Sequence, residues 1–546
     1  MEHGTGPVME HRTGPVMEHR TGPVMEHRPG PVMEHGTGPV VEHRPGPVVE
    51  HRPGPVMEHV DVLVIGGGPV GITTALLMAR RGLSVRVLER AGEIYDLPRA
   101  IVMDDEIQRV FQNVGLQEQL REITTPLQGA EFVRPTGERI IGLETPENPV
   151  WPLGHHPTVT YYQPELEAFL RGAAVKAGAE LFLEVDVTQV RQVGGPQAVV
   201  HAHAIDTDGI EQHHTADWLI AADGAASPIR KGLGVAFIDQ GFDQGWLVVD
   251  IELTRPVASL SRFVQQICDP TRPTTYVIGH ADYRRWEFQL QPGETATEMV
   301  DPDRVWELLR PWLTPDDARL VRAVVYRFHA TVAERMRVDR IFLAGDAAHQ
   351  MPPFLGQGLC SGIRDASNLA WKLALVTEGR AGDSLLDTYG EERLPHAAGV
   401  VAHAVDVGRL IDQLSGREPQ VLGLDAAYGG GREFPHLEHG LLSGDHPAVG
   451  RQLRQPVVQG QLLDAFLGAG FTLLMRAGTS VPADLADRWA RVGASTVYLP
   501  SGVLDNLVPQ DGVVVVRPDR YVAAVATDQN DFRTISEQLL AMMVPT

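Results

Sequence analysis

Val60-Asp61-Val62-Leu63-Val64-Ile65-Gly66-Gly67-Gly68-Pro69-Val70-Gly71 decides the fold. The apolar run reads as a buried parallel strand, and the glycines that follow at once have the G-x-G-x-x-G spacing of a dinucleotide turn. Gly66 allows the tight turn, Gly68 lets the backbone approach a pyrophosphate, and Gly71 permits close packing of helix on strand. Pro69 opens the helix, whose N-terminus is offered to the phosphates. Ile72, Ala75, Leu76 and Ala79 share one face, Gly82 ends the helix, and Val85, Val87 and Leu88 form the next strand. Glu89 and Arg90 close it. An acid eighteen residues after Gly71 stands where an adenosine ribose hydroxyl needs an acceptor.

Composition limits the alternatives. The chain has 546 residues, 43% of them hydrophobic, enough for a large core and several domains. Its formal charge of −23 opposes a nucleic-acid partner. With only Cys268 and Cys360, a disulfide framework, a CxxC pair and a cysteine-rich metal site are excluded, and a reducing cytoplasm is the expected location. No membrane span or secretion signal is indicated.

Residues 1–56 are seven copies of an octapeptide that varies from MEHGTGPV to VEHRPGPV. Gly and Pro in every unit predict disorder, and the strict period suggests repeated DNA upstream of a start at Met57. Beyond the first unit, Leu97-Pro98-Arg99-Ala100 is a turn that places Arg99 on the nucleotide side. Gln163 to Ala179 reads as a helix. Trp218-Leu219-Ile220-Ala221-Ala222-Asp223-Gly224 is a second buried strand that delivers an acid. From 240 to 335, alternation such as Trp246-Leu247-Val248-Val249-Asp250-Ile251 predicts an antiparallel sheet with one wet face. Ile341-Phe342-Leu343-Ala344-Gly345-Asp346 repeats the logic of a strand ending in an acid, where ligands of open α/β sheets bind. Pro352 to Gly358 forms a rigid loop before another helix, and His349 there reads more readily as a hydrogen-bonded structural group than as a base.

Three motifs in this order, Gly66-x-Gly68-x-x-Gly71 with Glu89, Asp223-Gly224 and Gly345-Asp346, resemble the fingerprint, DG and GD motifs of the class A flavoprotein aromatic hydroxylases. The family includes para-hydroxybenzoate and phenol hydroxylases. Cys268-Asp269-Pro270-x-Arg272-Pro273, Arg284-Arg285-Trp286-Glu287-Phe288 and the stretch from Gly362 to Leu373 look, more narrowly, like the 3-(3-hydroxyphenyl)propionate hydroxylases. The sequence departs from the pattern at Pro353-Phe354-Leu355.

The resemblance implies an α/β protein with a Rossmann-like FAD-binding domain, an inserted antiparallel β-sheet substrate domain and a C-terminal thioredoxin-like domain without CxxC. The expected division is FAD domain at 57–127, 161–239 and 336–395, substrate domain at 128–160 and 240–335, helical linker at 396–447, and thioredoxin-like domain at 448–546. It also implies that Asp223 is linked to FAD and NAD(P)H, that Asp346 binds the ribityl chain and Arg99 the flavin region, and that Pro352 and Gly356 border the isoalloxazine.

NADH or NADPH would reduce FAD, O₂ would give a C4a-hydroperoxide, and an oxygen atom would pass to a phenol ortho to its hydroxyl. The implied substrate is 3-(3-hydroxyphenyl)propionate or 3-hydroxycinnamate. His280, Tyr283 and Arg285 are candidates to contact the ring hydroxyl, and Arg272 or Arg285 to pair with the carboxylate. No metal is required. The partner is a small phenolic molecule, and self-association is left open. A same-mechanism hydroxylase of a polycyclic polyketide and a non-catalytic flavin sensor are the alternatives; the absence of W-x-W-x-x-P disfavours a halogenase.

Overall fold

The structure, a computed structural model, describes residues 57–95, 99–146, 151–194, 198–418 and 434–543. The expected disorder of 1–56, Leu97-Pro98 of the expected turn and residues 419–433 of the expected helical linker lie outside the described residues.

The strand Val60–Ile65 is the centre of the first sheet. It pairs in parallel with Val85–Leu88 on one side and Glu211–Ala221 on the other, and Glu180–Phe182 and Ile341–Leu343 extend the parallel set outward. Val62, Leu63 and Val64 are fully buried, as a strand covered on both faces requires. The helices Pro69–Ala79, Gln163–Lys176 and Gly358–Thr377 pack with this sheet in one apolar core. Small residues set how closely the first and third approach: a Cβ on Gly362 would stand 2.4 Å from Val70 Cγ2.

The second sheet has eight strands among the described residues, in the order His349–Gln350, Ala318–Ala333, Phe237–Leu253, Tyr283–Gln289, Thr274–Ile278, Val264–Ile267, Gly129–Val133 and Arg139–Glu144. All neighbours are antiparallel except Val264–Ile267 with Gly129–Val133. One face presents Leu247, Val249, Ile251, Tyr276, Trp286 and Phe288 to the helix Pro302–Leu309. The other face differs from the expected wet surface. Asp250, Arg285, Glu287 and Arg322 on it are buried, because it packs toward the first sheet's loops and its charges sit against one another.

The strand Thr158–Tyr161 pairs with Val102–Asp104 and Thr124–Pro126 in a small sheet of its own. The helix Ser384–Leu414 runs unbroken across the expected boundary at 395/396. Pro395 costs it one backbone donor, but burial of Tyr389, Ala397, Val400, Val401 and Ala404 on either side holds it together.

The C-terminal sheet has the order Ser495–Leu499, Thr472–Arg476, Val513–Val516 and Val522–Ala526, parallel at the first pairing and antiparallel at the other two. With the helices Ala483–Arg491 and Gln529–Met543 it forms a thioredoxin-like β-α-β-β-β-α unit. It docks through buried charge. Arg109 in the helix Asp105–Asn113 makes a two-point pair with Asp464 at 2.8 and 2.6 Å, and Tyr521 donates to Glu106 at 2.8 Å. Arg517 donates to Glu392 and Asp519, each at 2.7 Å, while Glu392 also takes Lys372 at 2.7 Å.

Candidate active site

The first part of the site is built by backbone geometry. Gly66 has φ +103°, and a Cβ there would lie 2.3 Å from the Ala222 carbonyl oxygen. A Cβ on Gly71 would lie 1.9 Å from the Gly66 carbonyl oxygen. At Gly68 the same atom would meet nothing within 4 Å. The first two glycines are therefore demanded by the protein itself, whereas the third leaves open space on the approach to the helix N-terminus. Pro69 begins that helix, no side chain caps it, and its first turn holds no acid, so its positive end is suited to an anion. Glu89 stands against the loop: it accepts the Gly67 N–H at 2.6 Å and the Ala91 N–H at 2.8 Å. Arg90 beside it is exposed.

The ends of the two neighbouring parallel strands carry the acids. Asp223 accepts the Ile229 N–H at 3.2 Å through Oδ2, while Oδ1 is buried with no hydrogen-bond partner among the described residues. Burial raises its carboxyl pKa. Gly345 has φ +61° and donates its N–H to Asp365 at 3.0 Å, which fixes the turn that presents Asp346. Asp346 is exposed to solvent at this turn, with enough protein around it to desolvate its carboxyl in part. Desolvation there raises its pKa, against lowering by His349 and Arg99. Arg99 is thus within electrostatic reach of Asp346. Its turn is fixed by Gln163, whose Oε1 accepts the N–H groups of both Arg99 and Ala100 at 2.8 Å. The unmatched Asp223 oxygen, the Asp346 carboxylate, the open approach at Gly68 and the uncapped helix fit a dinucleotide with a polyhydroxyl chain.

The loop beyond Asp346 is rigid for identifiable reasons. Pro352 is buried, and Gly356 has φ +63° in a place where a Cβ would be 2.1 Å from Val102 Cγ2. His349 is buried and bonds Asp365 at 2.7 Å, and Asp365 also accepts Arg393 at 2.8 Å. The departure at Pro353-Phe354-Leu355 places the Phe354 ring edge-on to Phe242 and Trp246, 5.8 and 5.4 Å between centroids.

The candidates on the second sheet do not form one cluster. His280 bonds Thr125 Oγ1 at 2.8 Å, and Tyr283 stacks on Tyr162 at 4.4 Å, both at the hairpin end of the sheet. Arg285 lies deeper. It donates to Asp250 at 2.7 and 3.2 Å and to the Arg99 carbonyl oxygen at 2.7 Å. Arg272, the other arginine expected to take a substrate carboxylate, is held by Glu294 at 2.9 and 2.6 Å. Both guanidinium groups therefore already have carboxylate partners within the chain, supplied by other strands and loops.

Several residues of the site gave no signal in the sequence. Gln163 read as a helix start, Asp365 as one polar residue in a helix, and Asp250, Glu287 and Arg322 as solvent-side positions of an alternating sheet. Only the register Asp250↔Arg285 and Asp250↔Arg322 shows that they meet. Among the described residues no group of three or more His, Cys, Asp or Glu side chains is arranged to hold a metal ion, and no helix is long and apolar enough to cross a membrane.

Comparison with known proteins agrees with this geometry. A family model described as "FAD binding domain" matches residues 59–404, and one described as "Aromatic-ring hydroxylase, C-terminal" matches residues 446–543. The chain is 34% identical to a probable NADH-specific resorcinol 4-hydroxylase of Rhodococcus jostii, over 89% of this chain and 96% of the relative. It is 32% identical to a 3-(3-hydroxy-phenyl)propionate/3-hydroxycinnamic acid hydroxylase of Klebsiella pneumoniae subsp. pneumoniae, over 88% and 94%. Among solved structures, the flavin-dependent monooxygenase PieE in complex with FAD and substrate superimposes with a TM-score of 0.78 at 23% identity, over 89% of this chain and 99% of that one. Aklavinone-11 hydroxylase with FAD and aklavinone gives 0.75 at 24%, over 89% and 100%. A family match that spans most of the chain, and relatives 32–34% identical over 88–89% of it, make this protein a member of the FAD-dependent aromatic-ring hydroxylases, a flavoprotein monooxygenase.

Proposed function

We propose that the protein hydroxylates a small single-ring phenol with a second hydroxyl meta to the first, a compound of the resorcinol class, at the expense of NADH and O₂. The observation that carries this reading is the pairing of Arg285 with Asp250 and of Arg272 with Glu294, which leaves neither arginine to hold a substrate carboxylate. The Rhodococcus jostii relative, named for resorcinol and for NADH, supports it. The chemistry suits the substrate, because two meta hydroxyls both direct electron density to the same ring carbon, ortho to one and para to the other.

When bound, FAD would supply the redox chemistry, with the nicotinamide as reductant and O₂ as oxidant. The chain's residues bind and position. Gly66, Gly68, Pro69 and Gly71 cradle the pyrophosphate, Glu89 with Arg90 takes the adenosine end, Asp223 and Asp346 take hydroxyls, and Arg99, Pro352 and Gly356 flank the ring system. The buried face around Asp250 excludes water from the phenol, and the ring is held there for attack.

A second reading has its own support. The stretches 268–273 and 362–373 resemble the 3-(3-hydroxyphenyl)propionate hydroxylases, and the Klebsiella relative carries that name. It requires Arg272 or Arg285 to exchange its internal partner for the substrate. The test is NADH consumption by the FAD-loaded enzyme with resorcinol, 3-(3-hydroxyphenyl)propionate, 3-hydroxycinnamate and a bulky polycyclic phenol, with products identified by mass. Formation of benzene-1,2,4-triol from resorcinol supports the first reading. Turnover of the propionate with resorcinol inert establishes the second, and turnover of the polycyclic phenol alone removes both.

A further inference from the structure

The buried face of the second sheet carries Asp250, Arg285, Glu287 and Arg322, exposed by only 3%, 4%, 6% and 4%. Their hydrogen bonding is uneven. Asp250 is taken by Arg285 Nε at 2.7 Å and lies 2.9 Å from Arg322 Nε. Glu287 has only the Arg285 Nη1 atom at 4.0 Å, beyond hydrogen-bond range, and no described residue donates a hydrogen bond to it. Arg322 Nη2 is likewise buried without a hydrogen-bond partner among the described residues. One acceptor and one donor on the same face are therefore unmatched, where buried polar groups are ordinarily satisfied. A buried carboxylate is costly without donors, and burial raises the pKa of Glu287.

Position gives this mismatch a meaning. In the register of the two central strands Val248 faces Glu287, with Asp250 opposite Arg285 on one side and Trp246 opposite Gln289 on the other. Arg285 touches the Arg99 carbonyl oxygen, and Trp246 touches the Phe354 ring. Glu287 thus stands midway along the wall that spans the Arg99 turn and the 352–356 loop, the two segments proposed to flank the flavin ring. Val248 beside it is a small apolar floor.

We infer that Glu287 accepts a hydrogen bond from the second ring hydroxyl of the substrate, the one that 3-substituted phenols lack, and is the residue that selects a diphenol over a phenol bearing a carboxylate arm. The inference rests on the small-phenol reading above. A hydroxyl can donate to Glu287 and accept from Arg322, which matches the two unfilled groups. An O–H to carboxylate bond is charge-assisted, and a site built to bond a hydroxyl discriminates strongly against an analogue that lacks it. The four side chains carry two charges of each sign, so a substrate carboxylate would add an unpaired negative charge in a desolvated place.

The experiment compares the wild-type holoenzyme with Glu287→Gln and Glu287→Asp, using resorcinol, 3-methoxyphenol and 3-(3-hydroxyphenyl)propionate. Steady-state NADH oxidation is measured together with Kd from the perturbation of flavin absorbance. The wild type is expected to prefer resorcinol to 3-methoxyphenol by about 100-fold or more in kcat/KM. Glu287→Gln is expected to reduce that ratio at least about tenfold, through KM and Kd, and to bind the propionate more tightly than the wild type does. Glu287→Asp, which keeps the charge but shortens the reach, should weaken resorcinol binding without admitting the propionate, and it serves if the Gln variant does not fold. Unchanged ratios and unchanged Kd for resorcinol in folded, FAD-loaded variants overturn the role of Glu287. If no phenol stimulates NADH oxidation in the wild type, the proposed function fails instead, and equal resorcinol Kd in wild type and variants still overturns the assignment separately.

Discussion

Gly68→Ala and Gly71→Ala differ by three positions in one turn, yet they should fail in different ways. At Gly71 the added Cβ would lie 1.9 Å from the Gly66 carbonyl oxygen, a backbone atom that cannot rotate aside. Overpacking of this kind costs about 1–3 kcal/mol, and an immovable obstacle places Gly71→Ala at the upper end. The apoprotein should therefore melt early, before any cofactor is considered. At Gly68 the backbone is extended, with φ −71° and ψ 179°, and the Cβ would enter open space. The apoprotein should keep its stability within about 0.5 kcal/mol. The methyl would instead occupy the approach to the pyrophosphate, and a clash of about 1–3 kcal/mol there weakens FAD binding by roughly 5- to 150-fold. Thermal melting of the two apoproteins and fluorescence titration with FAD separate the effects. The reasoning is refuted if Gly68→Ala apoprotein melts as early as Gly71→Ala, or if it binds FAD as tightly as the wild type.

Asp346→Ala should express and fold but purify without flavin, because it removes an acceptor from the Gly345 turn and leaves the sheet untouched; normal flavin content by absorbance contradicts this. Burial, with Asp104 and Glu106 adjacent, pushes Asp105 up to about 7 from its ordinary 3.8, so the stability its protonation supports is present below pH 3.8 and lost as pH rises through 7. Asp105→Asn should melt above the wild type at pH 8, with the gap closing toward pH 4. Burial lowers His214 from 6.5 to about 4, so its neutral form supports the fold above pH 6.5 and is penalised by about 1.4 kcal/mol per pH unit as pH falls toward 4; the wild-type-minus-variant difference in melting temperature for His214→Asn should become less favourable to the wild type by that measure between pH 6.5 and 4.5. Arg109→Met removes the two-point partner of the buried Asp464 and leaves Arg520 Nε, at 3.3 Å, as the nearby cation, which should cost about 3–5 kcal/mol and release a C-terminal fragment in limited proteolysis.

Much of the cofactor end was legible in the sequence because its signals are local. The strand, glycines and helix from Val60 to Ala79 are contiguous, and the acids at 223 and 346 follow their own strands by two and three residues. The substrate end was not legible for the opposite reason. Asp250, Arg285 and Arg322 alternate with apolar residues in the way solvent-facing positions do, and only strand register brings them together and removes them from water. Arg272 and Arg285 looked available to a substrate carboxylate because their partners, Glu294 and Asp250, are 22 and 35 positions away. No local signal shows that the helix Ser384–Leu414 passes through Pro395, because it is tertiary packing that outweighs the loss of one backbone donor there.

The charged seam beneath the C-terminal domain bears on how such proteins can be recombined. Glu106 accepts from Tyr521 and pairs with Arg364, whose other carboxylate partner is Asp104, while Glu392 binds both Lys372 and Arg517. Each of these sets joins the body that carries the cofactor motifs, which supplies Asp104, Glu106, Arg364, Lys372 and Glu392, to the domain it supports, which supplies Tyr521 and Arg517. A chimera that replaces residues 446–543 with those of a relative would strand buried charges unless Glu106, Arg109 and Glu392 were matched to the incoming partners. Transplants that keep these pairs intact should fold, and those chosen on overall identity alone should not.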